Sequence, residues 1–132
     1  MADIDRSSEH AEDKIKIILV VEDNTGVGEF LVEALKMEAH YQALLATDGA
    51  QALEMVKTLT PDLFVLDYQL PVMTGLELAD RLQTIEALKP IPVLLMSANL
   101  PKRELDKRHI AFINKPFELE KLLQAIEKLV AE

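Results

Sequence analysis

Five short apolar runs alternate along the chain with segments whose apolar residues recur at helical spacing. The runs cover residues 15–21, 41–46, 63–66, 91–96 and 110–113. Their length and their β-branched content predict strands that are buried on both faces. Because each run is followed by a helical segment, the pattern predicts a parallel sheet with right-handed crossovers and helices on both of its faces.

Helical segments are predicted after each run. The first has an apolar stripe of Val27, Phe30, Leu31, Ala34 and Leu35, and the last has one of Leu119, Leu122, Leu123, Ile126, Leu129 and Val130. Thr74 and Glu77 have the spacing of a capping box at the third helix. The predicted fold class is therefore α/β: a flavodoxin-like, doubly wound (βα)5 domain with a five-stranded parallel sheet in the order 2-1-3-4-5.

Length and charge exclude several classes of protein. The 132 residues suffice for one domain, which we assign to residues 14–132, after a disordered acidic leader at residues 1–13. With a net charge of −9, the chain is a poor direct partner for nucleic acid. It contains no cysteine for a disulfide or a zinc-thiolate site. It also lacks an apolar run of membrane-spanning length or a signal pattern, so we expect a cytoplasmic protein with no membrane contact.

Polar side chains follow four of the predicted strands. Glu22 and Asp23 end the first strand, Asp67 the third and Ser97 the fourth, and Lys115 follows the fifth. The carboxyl ends of parallel strands meet at one edge of the sheet, and ligands bind there between the first and third strands. Asp23 has an alternative structural explanation, since Asp23 or Asn24 could simply cap the first helix; Asp67 does not, because the loop after it leaves no adjacent helix start.

A cluster of three carboxylates requires positive charge. Two charges of the same sign about 4 Å apart repel by about 4 kcal/mol at an effective dielectric constant of about 20. Mg²⁺ would remove this penalty, because it prefers oxygen ligands, and Lys115 would add a compact positive charge. Such a site would attract a phosphoryl group, and a carboxylate there could act as the nucleophile to give an aspartyl phosphate.

Four motifs resemble those of a known family. "VVEDN", "VLDYQLPVMTG", "VLLMSA" and "INKPF" occur in the order and at the approximate spacing found in the receiver domains of two-component response regulators, the CheY-like family. The resemblance covers about residues 14–131. It implies that Asp67 accepts a phosphoryl group from a sensor histidine kinase or a histidine phosphotransfer protein.

The resemblance also implies the metal site. Asp23, Asp67 and the backbone carbonyl of Gln69 would bind Mg²⁺, for which Mn²⁺ can substitute, and Glu22 would hold the ion through water. Lys115 would pair with the phosphoryl oxygens, and its bond to Pro116 would be cis.

The remaining implied roles concern the conformational switch and the lifetime of the phosphoryl group. Ser97 and Phe112 would bias a two-state equilibrium that phosphorylation shifts. Gln69 and Asn99 occupy the positions at which the family varies its rate of phosphate loss. Two features depart from the family: Phe112 stands where many members have tyrosine, and the segment 99–109 is shortened, which predicts a short or irregular fourth helix and affects the usual output face.

The expected function is that of a single-domain response regulator, a monomer or weak homodimer, which signals to a downstream effector protein by contact or relays its phosphoryl group. It would not be an enzyme beyond its own phosphorylation and autodephosphorylation.

One alternative is a pseudo-receiver that binds partners without phosphorylation. An aspartate-nucleophile phosphatase is disfavoured, because Gln69 stands where such enzymes place a general-acid aspartate. The basic segment 101–109, which includes Lys107 and Arg108, is by default a solvated face, and a separate hypothesis is that an acidic partner binds there.

Overall fold

The computed structural model describes residues 14–99, 102–108 and 110–131. The acidic leader predicted at residues 1–13 lies outside this range. The strands are β1 (Lys16–Val21), β2 (Tyr41–Ala46), β3 (Leu63–Asp67), β4 (Val93–Ser97) and β5 (Ala111–Asn114). The helices are α1 (Thr25–Lys36), α2 (Gly49–Met55), α3 (Gly75–Gln83), α4 (Lys102–Arg108) and α5 (Leu119–Val130), with a short 3₁₀ helix at Glu86–Leu88.

The strands form one parallel sheet in the order β2-β1-β3-β4-β5, which confirms the predicted fold class. Every residue of β3 and of β4 is buried, as expected for strands covered on both faces. β4 begins two residues later than predicted and extends to Ser97. The sheet therefore carries a polar side chain as the last residue of each of its two central buried strands, β3 and β4.

Two apolar layers cover the sheet, one on each face. Leu31 and Leu35 of α1 pack with Leu122 and Ile126 of α5 on one face. The other face is covered by α2, α3 and α4, which contribute residues such as Ala52, Leu78, Leu82 and Leu105. No helix in the described ranges is long and apolar enough to cross a membrane.

The stripe predicted for α1 is partly wrong. Leu31 and Leu35 are buried, but Val27 and Phe30 are 41% and 59% exposed. Val32, which lies outside the predicted stripe, is buried in their place. The covered face is thus rotated by about one position from the one that the apolar spacing predicts, because Gly28 lets this helix approach Leu45 of β2 closely.

The fourth helix is short, as predicted, with seven residues. Its last residue, Arg108, forms ion pairs with Asp80 of α3 and with Glu104 of α4. These contacts assign Arg108 a structural role that the hypothesis of an acidic partner on the basic segment 101–109 did not include. Pro101 and His109 of that segment lie outside the described residues.

Candidate functional site

The register of the sheet brings the predicted acids together. Val21 lies opposite Leu66 in the pairing of β1 with β3, so Glu22 is level with Asp67 at the next position. Glu22, Asp23 and Asp67 each offer a carboxylate oxygen, and these oxygens lie within 4.8 Å of one another. Glu22 and Asp67 are buried, whereas Asp23 is exposed at the rim. The structure thus produces the three-carboxylate cluster that the strand ends predicted.

Glu22 is held in an environment that disfavours its charge. Its Oε2 accepts a hydrogen bond from the backbone N–H of Asn24 at 3.2 Å, while its buried Oε1 has no hydrogen-bond partner among the described residues. Burial raises the pKa of Glu22 from 4.5 to about 7; the Asn24 amide opposes this rise, and the nearby charge of Asp67 adds to it. A bound cation would supply the missing partner.

Lys115 provides the positive charge at this edge. Its Nζ lies 2.9 Å from Asp67 Oδ1 and 3.8 Å from Glu22 Oε1. The backbone N–H of Lys115 donates to the carbonyl of Ser97 at 2.9 Å, which fixes the position of the lysine at the end of β4. The Lys115–Pro116 peptide bond is cis, as the resemblance implied.

A cleft of about 120 Å³ opens beside these groups. Ser97 is buried, and its Oγ accepts a hydrogen bond from the N–H of Asn99 at 3.2 Å. Phe112 is not part of the cleft; it lies on β5 and is 43% exposed. The roles predicted for Gln69, Asn99 and Phe112 stay predictions. The residues that line the cleft are Asp67, Tyr68, Gln69, Ser97, Ala98, Asn99 and Lys115.

The loop after Asp67 is fixed at both of its ends. The Gly75 N–H donates to the carbonyl of Tyr68 at 2.8 Å, and a Cβ atom at Gly75 would overlap the carbonyl oxygen of Asp67. Glycine is therefore required there, because only it permits such a close approach to the backbone. The predicted capping box is confirmed: Thr74 Oγ1 accepts from the Glu77 N–H, and Glu77 Oε1 accepts from the Thr74 N–H.

The residues present fit a divalent cation. All three side chains offer hard oxygen ligands, which suit Mg²⁺. The Oε1 atom of Glu22 accepts no hydrogen bond among the described residues, since Lys115 Nζ is 3.8 Å away, so this oxygen is available as a ligand. Gln69 lies beside this cluster in the lining of the cleft. The three carboxylates could therefore hold a metal ion, and the further ligands that the resemblance implies stay predictions.

Two contributors to the site were missed or left open by the sequence analysis. Asn24, and not Asp23, caps α1, since its Oδ1 accepts from the Val27 N–H at 3.1 Å. This leaves the carboxylate of Asp23 available to the cluster. Tyr68 lines the cleft, and its position directly after Asp67 was the only signal for it.

A doubly wound domain with a buried aspartate, two further acids and a lysine at the carboxyl edge of its sheet defines the receiver class of signalling domain. The family model described as the response regulator receiver domain matches residues 18–127. The chain therefore belongs to the response regulator receiver family.

Two curated relatives illustrate the range of proteins in which similar domains occur. The response regulator MprA of Mycobacterium leprae is 38% identical over 115 residues, which cover 86% of this chain and 50% of that protein. The hybrid signal transduction histidine kinase D of Dictyostelium discoideum is 35% identical over 129 residues, 95% of this chain and 8% of that protein. The chain thus spans half or less of the length of these relatives.

Solved structures of receiver proteins share the fold, and two of those compared contain magnesium. The chemotaxis response regulator CheY4 of Vibrio cholerae has a TM-score of 0.79 and 25% identity, over 88% of this chain and 99% of that one. The response regulator TrrA of Thermotoga maritima, solved in complex with Mg²⁺ and BeF, has a TM-score of 0.76 and 30% identity, over 87% and 99%. The receiver domain of sensor kinase PA1611 of Pseudomonas aeruginosa, which holds magnesium in its active-site cleft, has a TM-score of 0.75 and 25% identity, over 89% and 99%.

Proposed function

We propose that this domain accepts a phosphoryl group on Asp67 from the phosphohistidine of a sensor histidine kinase or of a histidine phosphotransfer protein. The observation that carries the proposal is the 2.9 Å contact of Lys115 Nζ with Asp67 Oδ1, beside the acids Glu22 and Asp23. A carboxylate held between a lysine and a cation site is suited to attack phosphorus. Two relatives carry the names of histidine kinases, namely kinase D and the sensor histidine kinase TmoS of Ectopseudomonas mendocina, which supports a phosphohistidine donor.

The transfer exchanges one bond to phosphorus for another. A carboxylate oxygen of Asp67 forms the new P–O bond as the P–N bond to the donor imidazole breaks. The released nitrogen retains the electron pair of that bond, and the imidazole takes up a proton from solvent if its other nitrogen carries none. Lys115 is placed to pair with the phosphoryl oxygens, and the Ser97 hydroxyl, in the same cleft, to donate a hydrogen bond to one of them. Mg²⁺, or Mn²⁺ in its place, would be held by Asp23, Asp67 and the Gln69 carbonyl, and by Glu22 through water, and it would supply positive charge for the carboxylates and the phosphoryl group.

The phosphorylated domain then acts as a switch. The hydrogen bond from Ser97 to the phosphoryl group and an inward rotation of Phe112 favour an active state, which contacts a downstream effector protein or passes the phosphoryl group onward. The domain catalyses no turnover of other substrates and takes part only in its own phosphorylation and dephosphorylation. A cytoplasmic setting is part of this proposal.

Intact mass spectrometry after incubation with acetyl phosphate tests the proposal. We expect one phosphoryl group on the wild type with Mg²⁺, and none without Mg²⁺ or in Asp67→Asn. An exposed acid on α4, Asp106, provides the matched control: Asp106→Asn is expected to behave as the wild type. If no adduct forms even with a rapid quench, a binding module that works without phosphorylation becomes the better account.

A further inference from the structure

Met73, in the loop after Asp67, packs directly against the backbone of α2. A Cβ atom at Gly49, the first residue of α2, would lie 2.7 Å from Met73 Sδ and 2.9 Å from Met73 Cγ. Gly49 is buried and Met73 is half-buried, so the contact is largely closed to solvent. The methionine therefore occupies a notch in α2 that only a glycine at position 49 leaves open.

The notch at Gly49 is itself held in place by the hydrogen bonds that begin α2. Asp48 Oδ1 accepts from the Gln51 N–H at 2.7 Å, and Gln51 Oε1 accepts from the Thr47 N–H at 2.6 Å. These bonds join the segment between β2 and α2 to the first turn of the helix. The buried side chain of Ala52 then holds that turn in the apolar layer on this face of the sheet. Gly49 thus provides a fixed surface for the loop.

The middle of the loop has few other anchors. Hydrogen bonds fix its ends at Tyr68 and Gly75, as described above. Within residues 69–74, all of which the structure describes, the apolar side chains that pack against the core are those of Leu70 and Met73. The exposed residues of this segment are Gln69, Pro71 and Val72. Met73 is therefore one of two side chains on which the path of the loop depends.

The backbone next to Met73 shows that this path is imposed from outside. Val72 has a φ of 74°, which is unfavourable for a β-branched residue. Such a conformation persists only where the surrounding structure determines it. Two contacts of Met73 do so here: its N–H donates to the carbonyl of Pro71 at 2.8 Å, and its side chain occupies the notch at Gly49.

We infer that Met73 is a positioning residue for the metal site, because its contact with Gly49 fixes the loop that carries Gln69. The inference rests on the proposed function, which assigns the backbone carbonyl of Gln69 to Mg²⁺. Gln69 lines the cleft at Asp67, whereas Met73 does not, so Met73 acts on the site only through the loop. Residues that orient metal ligands in this way typically change metal affinity by about 10–100-fold when they are replaced.

NMR spectroscopy tests the inference with two measurements. The first is the Kd for Mg²⁺, from titration of the amide signals, and the second is hydrogen exchange of the Gly75 amide in the metal-free protein. Met73→Ala is expected to bind Mg²⁺ about tenfold more weakly and to exchange the Gly75 amide faster, because the loop loses its anchor. Met73→Leu keeps the volume and the apolar character of the side chain, so it should stay close to the wild type in both measurements.

A second variant breaks the same contact without creating a cavity. Gly49→Ala places a methyl group in the notch and displaces the flexible end of Met73. It should weaken Mg²⁺ binding as Met73→Ala does. The double variant should lose no more affinity than Met73→Ala alone, since both changes remove one interaction. Additive losses in the double variant would overturn the inference.

Met55→Ala is the matched control. Met55 is also a half-buried methionine in the same apolar layer, and it lies at the other end of α2. Met55→Ala should lower the Tm as Met73→Ala does, but it should keep the Mg²⁺ affinity and the Gly75 exchange of the wild type. An equal loss of affinity in the two variants would overturn the inference, because a general loosening of the domain would explain both.

The same titrations separate this inference from the proposed function. If the wild type binds Mg²⁺ and Met73→Ala binds it equally well, the positioning role is wrong and the metal site stands. If the wild type itself does not bind Mg²⁺, the proposed metal site fails and this inference fails with it.

Discussion

Lys115 Nζ lies 2.9 Å from Asp67 Oδ1, although Asp67 ends β3 and Lys115 follows β5, with β4 between these two strands in the sheet. The lysine thus extends across the end of β4 to reach the aspartate. The contact pairs a partly exposed ammonium group with a carboxylate that is only 5% exposed. It distinguishes a site prepared for an anion from a simple collection of strand-end acids.

Replacing the lysine should separate phosphorylation from metal binding. For Lys115→Met we expect a rate of phosphorylation by acetyl phosphate that is lower by about a hundredfold, because a positioned charge facing the phosphoryl oxygens is lost. The affinity for Mg²⁺ should be no weaker, because Lys115 is not a metal ligand and repels the cation. Mass spectrometry over time and a metal titration measure the two quantities. Lys128→Met, an exposed change on α5, is the control, and loss of Mg²⁺ binding in Lys115→Met would contradict the assignment.

Mg²⁺ should stabilise the folded domain. At a concentration about a hundredfold above its Kd, a ligand of the native state raises the free energy of unfolding by about 2.7 kcal/mol. For a domain of this size that corresponds to an increase in Tm of about 10 °C. Thermal unfolding with and without the metal measures it. Asp23→Asn should lose most of the increase while Asp106→Asn keeps it, and an unchanged increase in Asp23→Asn would place the metal elsewhere.

The raised pKa of Glu22 predicts how the stability of the metal-free domain varies with pH. Between pH 4.5, its ordinary pKa, and about 7, the folded protein holds a proton on Glu22 that the unfolded chain has lost. The free energy of unfolding therefore falls as the pH rises through this window. This contribution is absent in Glu22→Gln. The free energy of unfolding of the variant, relative to that of the wild type, should therefore rise by about 1–3 kcal/mol between about pH 5 and about pH 8.

Urea unfolding in the presence of EDTA measures this difference. Glu33→Gln, a change at an exposed acid of α1, is the control and should follow the wild type at every pH. If the free energy of unfolding varied with pH in the same way in the wild type and in Glu22→Gln, Glu22 would be ionised in the folded protein throughout this pH range, which would contradict the prediction.

Val72 is expected to reduce stability. It has a φ of 74°, in the left-handed region, and its side chain is fully exposed; the Met73 N–H donates to the carbonyl of Pro71 across it at 2.8 Å. A β-branched residue is strained in this conformation, which asparagine tolerates. Val72→Asn should raise the free energy of unfolding by about 1 kcal/mol. Denaturant unfolding measures it, with Val27→Asn, at an exposed position on α1, as the comparison; lower stability in Val72→Asn would contradict the account.

Much of this architecture could be predicted from the sequence, because the features concerned are local or follow from topology. Alternating strands and helices predict a parallel sheet, five strands suit the doubly wound order, and this arrangement brings Glu22, Asp23, Asp67 and Lys115 to one edge. The capping box of Thr74 and Glu77 requires only a spacing of three residues. Such features need no knowledge of how distant side chains pack.

What could not be predicted depends on packing between elements. The apolar spacing of α1 includes Val27 and Phe30, but which residues are buried depends on how closely Gly28 lets the helix approach β2. The ion pair between Asp80 and Arg108 joins residues 28 positions apart, and no local pattern indicates it. The same holds for the choice of Asn24 over Asp23 as the cap of α1, since both side chains can accept the hydrogen bond.

The most direct measurement locates the phosphoryl group. After incubation with acetyl phosphate and Mg²⁺, borohydride reduces an aspartyl phosphate to homoserine, which tandem mass spectrometry of the digested protein can assign to a peptide. The account predicts homoserine in the peptide that contains Asp67, at the Asp67 position only, and in no peptide when Mg²⁺ is omitted. Homoserine at Asp23 or at another aspartate, with Asp67 intact, would contradict it.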